Sequence, residues 1–290
     1  MIPANGKSSP APSAHWKGAA NRRLLLLIAI ALVVVLGFLA YLSAYRRIVR
    51  FTMDMRQHAV FASVQASTEL FHNMFGRYPP SDANDVAGVS YCGSMKLAEA
   101  MVGQDRMGFH PKSVYRADGL DPNTLAPLYT ADTLKERPRP LLPVEYANVF
   151  RLADVYGKGN TGPFREDILV LCDVFEKERP SGKRTGMPVL YYRADTSATL
   201  HDVNDPDNPQ NIYDYKDNQA LIRLSVPGKP GQMHPLADPR RFYLNIRNDQ
   251  VHEMPRPFRA DSYILLSAGR DGLYGTADDI CNFSWRYRHQ

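Results

Sequence analysis

The feature that most constrains this chain is an uninterrupted apolar stretch near its N-terminus. Residues 24–45 contain no charged side chain. About 22 residues at ~1.5 Å each give a helix of roughly 33 Å, which is long enough to cross a hydrocarbon core of about 30 Å. Because the stretch is apolar on every face, a buried helix of a soluble protein explains it less well. The sequence therefore predicts one transmembrane helix at 24–45.

A cleaved secretory signal is the main alternative for this segment. The apolar stretch is longer than the usual signal core and no small-x-small site closes it, which favours an uncleaved anchor in contact with membrane lipid. Residues 1–23 are predicted to form a disordered cytoplasmic tail, since the first 20 are rich in Ala, Pro, Ser and Gly. Basic residues flank the stretch equally, so charge alone does not orient it. These residues are Lys7, Lys17, Arg22, Arg23, Arg46, Arg47, Arg50 and Arg56.

The net charge of +5 does not indicate a nucleic-acid partner. Residues 1–50 hold seven of the 35 Lys and Arg residues and no Asp or Glu, so the remaining 28 basic residues are balanced by 30 acidic ones. The basic character therefore belongs to the membrane flanks and not to a DNA-binding face. We expect no nucleic acid among the partners.

Residues 46–76 are predicted to continue the helix out of the membrane. The stretch from Arg46 to Phe75 lacks Gly and Pro, and its apolar residues recur with helical spacing. Gly76 can end the helix, and Pro79 and Pro80 cannot continue it. The result is one predicted rod from Leu24 to Phe75, roughly 75 Å long. Its second half would pack into a globular domain at 77–290.

The pattern of that domain indicates an α+β fold with the long helix packed on a small antiparallel sheet. A short helix is predicted at Ser94–Val102, closed by Gly103, and residues 111–145 are predicted to be irregular. Strand-like runs follow at 167–175, 188–192, 242–246 and 262–267. The three cysteines, Cys92, Cys172 and Cys281, permit at most one disulfide and show no zinc spacing. Cys172 lies in an apolar run and is predicted to be a buried thiol.

The most informative segment is SAGRDGLYGTADDI at residues 267–280. Three carboxylates and a hydroxyl lie close together between glycines that permit tight turns. Hard cations such as Ca²⁺ prefer six to eight oxygen ligands of this kind. The segment lacks the spacing of an EF-hand, and on chemistry alone an Asp- and Gly-rich surface turn is an equal alternative.

This segment resembles the C-terminal loop of type II secretion major pseudopilins, a type IV pilin-like family whose usual form is S-x-G-P-D-G-x-x-G-T-x-D-D-I. Arg270 replaces the Pro. Two further segments match in family order: FGRYPP at 75–80 resembles the step that ends the long helix, and GMPVLYY at 186–192 resembles a G-x-P-Y-x-Y strand. The matches cover the helix and about half of the domain, and residues 111–165 and 195–240 are predicted insertions.

The resemblance implies a structural Ca²⁺ ion in the last loop. Its side-chain ligands would be Asp271, Asp278 and Asp279, completed by Thr276 and by backbone carbonyls near Ala268 and Asn282. It also implies an inner-membrane, single-pass protein with a periplasmic C-terminal domain. The cysteines and the candidate calcium loop favour that orientation too. Implied partners are other pseudopilin or secretion-system subunits and a second copy of this chain.

The N-terminus departs from the family. The apolar stretch begins NRRLL at 21–25 and lacks both the prepilin peptidase site and the assembly glutamate. A permanently anchored relative is the interpretation that this favours.

Three classes of function follow from these observations. The leading hypothesis is a structural or assembly component of an envelope secretion or pilus-like system. The alternative is a membrane-tethered module whose insertions bind a ligand or a protein. The Asp- and Asn-rich loop at residues 201–218 could hold a second ion through Asp205, Asp207 and Asn208, although a solvated loop explains this composition better. We expect no enzyme, because the sequence lacks G-x-S-x-G, H-E-x-x-H and phosphate-loop motifs.

Overall fold

The computed structural model describes residues 15–143, 147–251 and 254–283, with side chains from Leu24 onward. The chain divides into two compact units, Met1–Thr52 and Met53–Gln290. We refer to the second unit as the head. Residues 1–14 of the predicted tail lie outside the described residues.

Helix α1 spans His15–Phe75. It begins before the predicted start at Leu24 because good helix formers, including Ala19, Ala20 and Arg22, precede the apolar stretch. Among the described residues, one helical segment, Leu24–Phe75, is long and apolar enough to cross a membrane. Nearly all side chains from Leu24 to Thr52 are exposed in the first unit. The segment is therefore compatible with a single transmembrane anchor.

The part of α1 that lies in the head packs one face into the core. Phe61, Val64 and Phe71 are buried, whereas Leu70 and Met74 remain exposed. The helix ends at the predicted position. Gly76 adopts a φ of 71°, and its amide donates to the carbonyl of His72 at 2.7 Å.

Within the described residues, seven short strands form three separate antiparallel sheets, which agrees with the predicted α+β layout. The third sheet, in the order β5-β6-β7, pairs Leu190 of β5 with Leu266 of β6, and Leu266 with Cys281 of β7. The strands are β1 (Val149–Arg151), β2 (Leu169–Leu171), β3 (Lys177–Glu178), β4 (Arg184–Thr185), β5 (Leu190–Arg193), β6 (Tyr263–Ser267) and β7 (Ile280–Cys281). Three of the four predicted runs contain a strand.

The fourth predicted strand, 242–246, is wrong, because these residues belong to helix α5 (Pro239–Ile246). Asp238 caps this helix by accepting the amide of Arg240 at 3.0 Å, and Pro239 occupies its first turn. Phe242 and Ile246 are four residues apart and share the buried face. The other helices are α2 (Gly93–Val102), α3 (Leu152–Tyr156), α4 (Gln219–Ile222) and 3-10 turns at Asp132–Glu136, Tyr215–Asn218 and Pro235–Ala237.

A buried carboxyl group on α2 fastens residues 111–129, part of the first predicted insertion, to the core. The Glu99 side chain accepts hydrogen bonds from the hydroxyls of Tyr91 at 2.6 Å, Ser113 at 2.5 Å and Tyr129 at 2.7 Å, and from the amide of Gln104 at 3.1 Å. Only 1% of Glu99 is exposed. Because two of the four donors, Ser113 and Tyr129, come from the otherwise irregular segment at 111–129, the shared carboxyl group holds that segment on helix α2.

Candidate metal centre in the last hairpin

The predicted cation loop connects two paired strands. Strands β6 and β7 are antiparallel, with Ser267 opposite Ile280, so residues 268–279 form the loop of a hairpin. Gly269 has a φ of 63°, and a Cβ there would lie 2.2 Å from the carbonyl oxygen of Asp278. This close approach requires glycine and brings the two ends of the loop together.

Two of the predicted carboxylates lie side by side in this loop. The Asp271 amide donates to Asp278 Oδ2 at 3.0 Å, and the Thr276 hydroxyl donates to Asp278 Oδ1 at 2.8 Å. Partial burial and the negative charge of Asp278 raise the pKa of Asp271. Burial opposes ionisation of Asp278 too, but the Thr276 hydroxyl and the amides of Asp271 and Arg270 lower its pKa. The hairpin thus holds adjacent like charges that a cation would stabilise.

The third carboxylate is directed into the loop. Asp279 Oδ2 accepts the amide of Gly275 at 2.7 Å, and Oδ1 accepts the amide of Thr276 at 3.3 Å. Burial raises the pKa of Asp279 well above its ordinary value. Asp279 therefore stabilises the turn from its buried side, and both of its carboxylate oxygens accept backbone hydrogen bonds.

The two predicted carbonyl ligands lie just beyond the strand ends. Ala268 follows β6 and Asn282 follows β7. The side chain of Asn282 accepts the amide of Leu265 at 2.9 Å, which extends the pairing of the two strands. Because the side-chain oxygen is engaged in this way, the predicted metal ligand near Asn282 is a backbone carbonyl oxygen.

Asp271, Thr276 and Asp278 are the predicted residues whose arrangement fits a hard cation best. Within the described ranges, no three His, Cys, Asp or Glu side chains converge closely enough to enclose a metal ion. A cation at this loop would have to complete its shell from the Thr276 hydroxyl, backbone carbonyls and water, which are common Ca²⁺ ligands.

A buried aspartate that no sequence motif marks supports the base of the hairpin. Asp173 accepts the Ser267 hydroxyl at 2.9 Å and the amides of Phe175 and Met187 at 3.2 and 3.1 Å. Ser267 in turn accepts the amide of Gly269 at 3.2 Å. Burial raises the pKa of Asp173 to about 6. These bonds connect the loop to the strand region around residue 173.

Arg270, the residue that departs from the pseudopilin pattern, forms an ion pair with the long helix. Its guanidinium contacts both carboxylate oxygens of Asp54 at 2.5 and 2.6 Å. One turn further along α1, Gln57 accepts the amide of Val174 at 2.9 Å. Lys177 donates to the carbonyl of Asp271 at 2.7 Å. The loop is therefore tied to the first helical turns of the head.

The cysteines and the second candidate ion loop are also placed by the structure. All three thiols are free and buried, so the permitted disulfide is not formed, and Cys172 is buried as predicted. In the Asp- and Asn-rich loop, Asp207 pairs with Lys216 at 2.7 Å, and Asn208 accepts the amide of Gln210 at 3.0 Å.

Comparison with known proteins identifies no relative. A scan against protein-family models returned no matching family, and no curated protein or solved structure matches the chain. The resemblance to pseudopilins therefore rests on the sequence motifs.

We expect Ca²⁺ to raise the melting temperature of the full chain in detergent and EDTA to lower it. A ligand that binds only the native state at 100 times its dissociation constant stabilises it by about 2.7 kcal/mol. The measurement is thermal unfolding of the wild type and of Asp278→Asn, which should lose the shift. Asp132→Asn, an exposed aspartate outside the loop, serves as the control. Equal melting curves with Ca²⁺ and EDTA would contradict the metal assignment.

Proposed function

We propose that this protein is a membrane-anchored structural or assembly subunit, related in design to the pseudopilins of envelope secretion systems. In this proposal α1 is fixed in the inner membrane, the head lies on the periplasmic side, and Ca²⁺ stabilises the last hairpin. No catalytic step is part of the proposal.

The observation that carries the proposal is that the two parts of α1 differ in the burial of their apolar side chains. The same helix contains an exposed apolar segment and, in the head, a face built into the core. Beside that buried face, the head portion of α1 still exposes apolar side chains, including Leu70 and Met74. An exposed apolar strip four residues apart on a helix is suited to contact a neighbouring subunit.

Single cysteines at Leu70 or Met74 are expected to give oxidative dimers in native membranes. The native thiols do not interfere, because burial raises the pKa of Cys92 to about 12 and keeps all three unreactive. A cysteine at Val86, an exposed apolar residue away from α1, is the matched control.

Dimers at positions 70 and 74 with none at 86 would support assembly along the helix. Equal cross-linking at all three positions would indicate random collision and contradict the proposal. A chain that stays monomeric while bound to an unrelated protein would favour the second candidate.

The second candidate is a membrane-tethered binding module. One observation favours it: a polar cleft of about 440 Å³ lies against the second insertion, within the size range of ligand sites.

A further inference from the structure

The cleft opens between four parts of the head. Ser81 and Asp82 come from the loop after α1, and Arg193 ends strand β5. Residues 206–217 of the second insertion form most of the remaining lining, and Tyr243 of α5 closes it. Its wall carries five aspartates and only two basic residues, so it focuses a negative potential. The five are Asp82, Asp195, Asp207, Asp214 and Asp217.

Each aspartate uses one oxygen inside the protein. Asp82 Oδ2 pairs with Lys96 at 2.6 Å, and Asp195 Oδ1 accepts from Ser197. Asp207 Oδ1 pairs with Lys216, whose amide donates to Asp214 Oδ1 at 2.9 Å.

The second oxygen of each of these carboxylates has no hydrogen-bond partner among the described residues. These carboxylate oxygens are therefore available to accept hydrogen bonds from a ligand in the cleft.

Asp217 gives the cleft a feature that an ordinary acidic surface lacks. Only 7% of this residue is exposed, yet it lines the cleft. The Ser81 hydroxyl donates to its Oδ2, while Oδ1 has no hydrogen-bond partner among the residues that the structure describes. The free Oδ1 of this nearly buried carboxyl therefore faces the cleft, where water or a ligand can pair with it.

Charged and titratable neighbours surround Asp217 on several elements. Burial raises its pKa to about 8; among its neighbours, Asp214 and Asp82 act in the same direction, whereas the Ser81 hydrogen bond and Lys96 on α2 oppose it. Tyr192 on β5 faces it as well. Near neutral pH this carboxyl is therefore largely protonated, and an incoming cation would displace the proton.

We propose that this cleft binds alkylammonium groups, supplied by a free polyamine or by lysine side chains of a partner. Its spare oxygens are dispersed along the wall, and within the described ranges no three acidic side chains converge on one point. Such an arrangement suits several ammonium groups on an extended chain better than one hard cation. The proposal is independent of assembly, since it concerns a single head.

Calorimetric titration of the full chain in neutral detergent tests the proposal. The probes are spermidine and pentalysine, with Mg²⁺ at matched ionic strength for comparison. We expect saturable binding that tightens by up to roughly 25-fold from about pH 6.5 to about pH 8.5, because the ionised fraction of Asp217 rises from about 3% to about 75%. Asp217→Asn should bind weakly and lose this pH dependence, whereas Asp167→Asn, outside the cleft, should match the wild type.

The Asp217→Asn variant is expected to fold. The pKa of Asp217 is raised to about 8 in the folded state, so the head loses stability as the pH rises from about 4 to about 8, the range in which the unfolded chain ionises this carboxyl and the folded head does not. A neutral amide avoids this loss and still accepts the Ser81 bond. Its melting temperature at about pH 8.5 should equal or exceed that of the wild type.

The two probes distinguish the sources of the ligand. Tighter spermidine binding points to a free polyamine, and tighter pentalysine binding points to a basic protein segment. Absence of binding by both probes, unchanged binding in Asp217→Asn, or equal competition by Mg²⁺ would overturn the proposal.

Discussion

Glu99→Ala is expected to destabilise the head by at least about 3 kcal/mol, since three hydroxyls each lose a buried acceptor at a cost of about 1–3 kcal/mol; typical folded domains have a stability of about 5–15 kcal/mol. The variant leaves the hydroxyls of Tyr91, Ser113 and Tyr129 without their common acceptor in a buried site. Each unsatisfied donor keeps its desolvation penalty, so the losses reinforce one another. Thermal and urea unfolding of the full chain in detergent, followed by circular dichroism, measure the effect.

Two further variants separate this network from a general effect of losing a glutamate. Glu99→Gln retains one acceptor oxygen and should lie between the wild type and Glu99→Ala. Glu136→Ala removes an exposed carboxylate that pairs with Lys112 at the surface, and should cost roughly 0–1 kcal/mol. If Glu99→Ala unfolds with the same midpoint as Glu136→Ala, the network does not stabilise the first insertion.

Phe71→Ala is expected to cost about 3–5 kcal/mol, the usual range for removing a buried phenylalanine. The Phe71 ring lies 4.6 Å from that of Phe75 and 5.1 Å from that of Phe109, measured between ring centroids. Its loss would open a cavity between α1 and the segment that contains Phe109. The same unfolding measurements apply, because the transition of the head is the observable.

Leu70→Ala provides the matched control for Phe71→Ala. Leu70 is the preceding residue of the same helix but is 47% exposed, so its removal should cost under about 1 kcal/mol. Equal losses in the two variants would mean that helix propensity, and not core packing, sets the contribution of this segment. A normal transition in Phe71→Ala would show that the end of α1 is not part of the cooperative head.

Local signals in the sequence predicted the elements whose boundaries depend on a few neighbouring residues. Helix α1 ends where Gly76 and Pro79 require it, and α2 ends at Gly103, as expected. The same kind of signal is present at α5, since Asp238 followed by Pro239 is a helix start, but the apolar run after it fits a strand equally well. Short apolar runs are ambiguous in this respect.

The contacts that shape the candidate site could not be predicted in this way, because they join distant parts of the chain. Arg270 was recognisable as a departure from the family pattern, yet nothing local indicated Asp54 as its partner. The inward orientation of Asp279 also depends on the folded path of the loop. Asp217 carried no motif, and its burial arises only when the loop at Ser81 packs against it.

The long-range bonds of α1 have a consequence for biosynthesis. The partners of Asp54 and Gln57, at Arg270 and Val174, are made long after the helix leaves the ribosome. Until they arrive, the face with Phe61 has no core to enter and is exposed to aggregation or to chaperones. A chain truncated before the last hairpin should therefore be protease-sensitive, and the head should mature only after that hairpin has been synthesised.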